Sequence, residues 1–164
     1  MSRSNKMTLH HLIPRSRGGD SSKKNLKKVP GVIHDAWHTL FLNWLPEEIF
    51  SQILVMPEVL YNTSHKQLAW EKVFHYSYED VRWLRSARLD VAGQILTGWV
   101  PVGYKISWEQ VNQGVWDICC TQCLMSRCPL NHHRRQPFEG GSVLYYCYWP
   151  IPKDLLYFIT FPRC

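Results

Sequence analysis

Two histidines four residues apart, His34 and His38, follow a His10-His11 pair and an asparagine at position 25. This spacing constrains the fold more than any other feature of the chain. Residues at i and i+4 of a helix lie on one face. A helix over 32–42 therefore sets two imidazoles side by side, at a separation that one metal ion can bridge. Three neutral imidazoles with an open position form a common catalytic metal site. His10, His34 and His38 are the candidate ligands, and His11 is the natural general base beside them.

Flanking signals predict how these residues are presented. Residues 7–13 (Met-Thr-Leu-His-His-Leu-Ile) read as a short strand ended by Pro14. Arg15 to Asn25, with Gly18-Gly19 and Ser21-Ser22, is a polar, glycine-containing loop. Leu26 to Val29 suits a second strand stopped by Pro30. Val32, Ile33, Ala36, Trp37, Leu40 and Phe41 then fall at helical spacing. Pro46-Glu47-Glu48-Ile49 opens another helix, with proline in the first turn and acids at the positive end of the dipole. That helix is expected to reach about Val55. After a turn at 62–65, further helices are predicted at 66–75, 78–92 and 108–117, the last two opened by Ser77 with Asp80 and by Ser107 with Gln110. Ser142–Trp149 and Leu155–Phe161 are aromatic and read as strands. The expected fold class is α+β: an N-terminal hairpin and helix, a mainly helical middle, and a short β-rich, cysteine-containing end.

With 164 residues, 45% hydrophobic and 20% charged, the chain has the composition of a globular protein rather than a disordered one. Residues 1–62 are expected to form the hairpin–helix module, and 63–164 a helical, Cys- and aromatic-rich region without an assigned role. The net charge of +6 is uneven. Residues 1–30 carry eight of the nineteen Lys/Arg against one acid, Asp20, which leaves the rest of the chain slightly negative. Basic charge gathered around a metal loop is the footprint expected for a polyphosphate ligand, with Arg15, Arg17, Lys23, Lys24, Lys27 and Lys28 as the contacts. No apolar run approaches a membrane span, and the N-terminal residues lack the apolar core of a signal peptide, so the expected location is the cytoplasm.

Each residue type in the histidine constellation has a chemical task. Phosphodiester hydrolysis needs charge stabilisation on the phosphate, an activated water and a stabilised leaving oxygen. One cation on His10, His34 and His38 supplies the first and last, and His11 the activation. The Asn25 amide is expected to tie down loop backbone near His11 and fix that ring.

The run His10-His11-Leu-Ile-Pro-Arg-Ser-Arg-Gly-Gly, then Asn25-Leu26, then His34-x3-His38, resembles the HNH, or ββα-metal, endonuclease motif, and is most similar to that of colicin-type DNases. Pro14, Gly18 and Gly19 fit the same pattern. The likeness extends through Ala36-Trp37-His38-Thr39-Leu40-Phe41 and Pro46-Glu47-Glu48-Ile49 to small HNH proteins of bacteria and their phages. It covers residues 5–56. The resemblance implies a ββα-metal fold and one divalent metal (Zn, Ni, Mg or Mn) on His10, His34 and His38. It also implies that His11 is the base, that Asn25 orients it, and that DNA is the substrate in a bacterial or phage-infected cell. A single such site cuts one strand per event, so a nickase, or a homodimer for double-strand cutting, follows from it.

All six cysteines lie between Cys119 and Cys164. Cys120-x2-Cys123-x4-Cys128-x4-His133 has the loop lengths of a zinc knuckle with Cys and His exchanged at the last two positions, a candidate second, structural zinc site. Unliganded thiols are the competing reading there. The C-terminal region is also the candidate surface for a partner protein. Two alternatives stand beside the nuclease: a non-catalytic nucleic-acid- or protein-binding module on the same scaffold, and an RNase of similar chemistry.

Overall fold

A computed structural model describes residues 6–55 and 63–115. It is α+β: a two-stranded antiparallel sheet at the N-terminus followed by helices. Strand β1 (Met7–His11) pairs with β2 (Leu26–Pro30), and a single 3-10 turn at Arg15–Arg17 lies in the loop between them. Helix α1 (Gly31–Phe41) follows β2 directly, because Pro30 cannot extend the ladder and its fixed φ suits a helix start. Next come α2 (Pro46–Val55), α3 (Ser64–Phe74), α4 (Tyr78–Trp83), α5 (Arg85–Gly98) and, last among the described residues, α6 over 108–115.

The sheet is only two strands, too little to hold itself together in water. It is stabilised by packing on α1, and α1 in turn packs on α3. Phe41, Trp70, Phe74 and Tyr78 form the aromatic centre of the core, with Ile53, Val81, Val91, Ile95, Val111 and Val115 around it. This cluster runs without a break across residue 62, so residues on both sides of that position share one core.

The helix expected at 78–92 is two helices. Leu84 is extended (φ −97°, ψ 114°) and ends α4 while opening α5. The buried Arg88 takes up the carbonyls that the break releases, donating from Nε to Val81 O at 3.1 Å and from its guanidinium to Arg82 O. The Ser77 cap is as expected, its hydroxyl accepting from Asp80 N at 3.0 Å.

A buried carboxylate fastens the 101–107 segment to α2. Glu47 accepts from Tyr104 Oη at 2.9 Å and from Ser107 N at 2.9 Å. Burial, together with this carboxylate, pushes the Tyr104 phenol up to about 12. The strands expected at 142–149 and 155–161, and the Cys120, Cys123, Cys128 and His133 cluster, lie outside the described residues. Among the described residues no helix is long and apolar enough to cross a membrane.

Candidate metal centre

The strand period of two separates His10 from its neighbours. His10 is 2% exposed on the inner face of the hairpin, with Thr8 on the same face, and the cross-strand partner of His10 is Lys27. Met7 and Leu9, at alternate positions, are exposed. Helix α1 packs across the inner face and brings His34 and His38, one turn apart, to His10. The three ring centroids lie 4.9 to 5.1 Å apart. One nitrogen from each ring can be chosen so that all three lie within 4.8 Å of one another. Residues from two elements, 24 positions apart in sequence, thus meet at a spacing that one ion can serve.

Hydrogen bonds hold two of the three rings. Thr8 Oγ1 lies 2.9 Å from His34 Nδ1 and 3.2 Å from Val29 O, and with its proton on Val29 O it accepts from the His34 ring. In that arrangement His34 carries its proton on Nδ1 and its lone pair on Nε2. His38 Nδ1 donates to Leu42 O at 2.8 Å, which leaves the lone pair on Nε2 there too. Leu42 adopts φ 50°, a conformation uncommon outside glycine, and the turn it makes aims that carbonyl back at the ring. This is the outer-shell arrangement that orients metal-binding imidazoles.

His10 differs. Its Nδ1 is buried with no hydrogen-bond partner, a state costly for a polar atom unless something else occupies its lone pair. Burial, followed by the nearby His38 and His34, lowers the His10 pKa to about 3. The ring is therefore neutral at pH 7 and has a lone pair to give. Two hydrogen-bonded rings and one buried, unpartnered nitrogen fit a divalent cation held by three imidazoles.

The remaining site residues separate into groups. His11, the last residue of β1, is half-buried and its Nε2 lies 3.2 Å from Ser21 Oγ. Asn25 is buried and fully engaged. Its Oδ1 accepts from Ile13 N at 2.7 Å, and its Nδ2 donates to Ile13 O at 2.9 Å and Asp20 O at 2.7 Å. The amide thus knots the two sides of the loop, and it is Ser21, next to Asp20, that touches the His11 ring. Gly19 packs into the same knot, where a Cβ would stand 1.9 Å from Ile13 O, and Gly18 takes φ 87° to close the 3-10 turn.

Of the six basic residues singled out above, Arg15, Arg17, Lys23, Lys24 and Lys28 are exposed. Lys28 pairs with Leu9 on the face of the hairpin away from the imidazoles. Arg17 is in an ion pair with Glu48 at 2.9 Å. Lys27 is turned inward: its Nζ donates to Gly98 O at 2.6 Å and lies 4.0 Å from the centre of the Trp99 indole, and burial lowers its pKa. Sequence reasoning did not single out Thr8, Ser21, Leu42 or Trp99. Thr8 was accessible to it, since a strand puts i and i−2 on one face; the other three depend on the tertiary fold.

No protein-family model, curated protein or solved structure matches this chain.

Proposed function

We propose that this chain is a metal-dependent DNA endonuclease or nickase of the HNH, ββα-metal type. The observation that carries this reading is the convergence of His10, His34 and His38 from a hairpin and its following helix, with a buried nitrogen of His10 left unpartnered. His10, His34 and His38 would hold the divalent ion. When bound, it supplies Lewis-acid polarisation of a phosphate oxygen and stabilises the leaving oxygen. His11, held by Ser21, accepts the proton of the attacking water at its imidazole. Asn25 keeps the loop that carries Ser21 in register with β1. Arg15, Lys23 and Lys24, exposed on that loop, meet neighbouring phosphates, so binding weakens steeply with salt. The setting is the cytoplasm of a bacterial or phage-infected cell.

The test is supercoiled-plasmid nicking alongside bound-metal measurement, across Mg²⁺, Mn²⁺, Ni²⁺ and Zn²⁺. His11→Ala keeps the metal and loses cleavage, whereas His34→Ala loses both. Wild-type cleavage by His11→Ala would remove the assigned base.

A second reading, a binding module in which the metal serves structure alone, is favoured by the enclosure of His10 beside Trp37 and Trp99. Structural sites are closed, whereas catalytic ones keep an open position. Bound metal without nicking under every ion would select it.

A further inference from the structure

Trp99 follows α5 and belongs to neither element that carries the imidazoles, yet its indole touches one residue from each of β1, β2 and α1. It stacks on Trp37 of α1 at 3.8 Å and 6°. Lys27 of β2 places its ammonium 4.0 Å from the ring centre. His10 of β1 meets it at 5.4 Å and 74°. Trp37 covers one face of the indole, so the ammonium takes the other, and the ring is held between them. The Lys27 bond to Gly98 O pins the backbone just before it. Trp99 is 6% exposed and His10 2%.

This packing matters because of what His10 lacks. A metal-binding histidine is commonly oriented by a hydrogen bond from its other ring nitrogen. His34 has Thr8 for this purpose and His38 has the Leu42 carbonyl. Among the described residues, His10 makes no side-chain hydrogen bond. Its ring angle is set by packing alone, against Trp37, Trp99 and the two other imidazoles.

We infer that Trp99 is a positioning residue for the imidazole triad, holding the His10 ring at the angle at which it shares an ion with His34 and His38. It does for His10 by contact what Thr8 and Leu42 do for the other two rings by hydrogen bonding. The inference rests on the metal reading above, and it ties the metal affinity of the hairpin–helix unit to a residue far outside it.

The experiment uses the full chain with Co²⁺ as the probe, read by its d–d absorption and by competition with a chromophoric chelator. Trp99→Leu keeps an apolar group at the position but removes the aromatic wall; Trp99→Phe restores a ring. The expected result is a Co²⁺ affinity at least tenfold weaker, with an altered d–d band, in Trp99→Leu, in the range typical of lost outer-shell contacts. Trp99→Phe should return to within about threefold of wild type, a rescue that a general packing defect would not give. Both variants are checked for folding by circular dichroism. If Trp99→Leu does not fold, Trp99→Met replaces it with the same two outcomes. Folded Leu or Met protein that binds Co²⁺ like wild type overturns the positioning role and leaves the metal reading standing. Wild-type protein that binds no Co²⁺ overturns both.

Discussion

Acidifying the metal-free protein should destabilise it through one residue. His10 is buried beside two other imidazoles, and its pKa falls from 6.5 to about 3 on folding. A group whose pKa is lower when folded contributes stability above its unfolded value and loses it as pH falls. The window therefore runs from about pH 6.5 down to about 3. At about 1.4 kcal/mol for each tenfold change in proton affinity, the loss is about 1.4 kcal/mol at pH 5.5 and about 2.7 kcal/mol at pH 4.5. It approaches about 5 kcal/mol below pH 3. A domain of this size has roughly 5–15 kcal/mol in total, so His10 alone removes a large part of it before most carboxylates titrate. The assay is urea unfolding with chelator present, at pH 7.5, 6.5, 5.5 and 4.5, for wild type and His10→Leu. His10→Leu removes the titrating group, so the wild-type curve should fall relative to the variant by about 1.3 kcal/mol between pH 5.5 and 4.5. Parallel curves would refute the reasoning, since they would mean that His10 protonates as easily folded as unfolded.

Three other predictions follow from contacts described above. Gly19→Ala drives a Cβ into the Ile13 carbonyl, which is backbone and cannot swing aside; thermal melting should show a loss of about 2 kcal/mol or more, and an unchanged midpoint would count against the loop geometry. Lys23→Met should reduce the salt dependence of DNA binding by about one ion, whereas Lys27→Met should leave that slope unchanged and lower stability by about 1 kcal/mol instead. A reduced slope in Lys27→Met would show its ammonium on phosphate rather than on Gly98 and Trp99. Tyr104→Phe removes a phenol donor from the buried Glu47 carboxylate and should cost about 1–3 kcal/mol in urea unfolding, with no change in bound metal.

What the sequence revealed, and what it did not, follows from how far apart the interacting residues are. The hairpin and α1 are written locally: Pro30 closes β2, Gly18 and Gly19 close the loop, and the i, i+4 pair puts His34 and His38 on one side, although β1 ends at His11 rather than running on to Pro14. Their meeting with His10 needs only that a hairpin pack on the next helix. The roles of the basic residues were not legible, because Lys27 and Lys28 are adjacent in sequence yet lie on opposite faces of β2. Strand alternation sends one to the imidazole face and the other to solvent. Arg17 likewise belongs to the loop in sequence and to Glu48 of α2 in space. The break at Leu84 was hidden for a related reason. Nothing in its own segment forbids a continuous helix over 78–92, and the carbonyls it frees find their donor in Arg88 only once the two helices pack. The same holds for Trp99, whose partners Lys27, Trp37 and His10 lie far upstream in three different elements. The histidine motif therefore specifies which atoms can hold an ion, while part of the enclosure of His10 comes from Trp99, which belongs to no motif. Two chains with the same five motif residues could differ widely in the pKa of the first histidine and in metal affinity, according to what stands where Trp99 stands here.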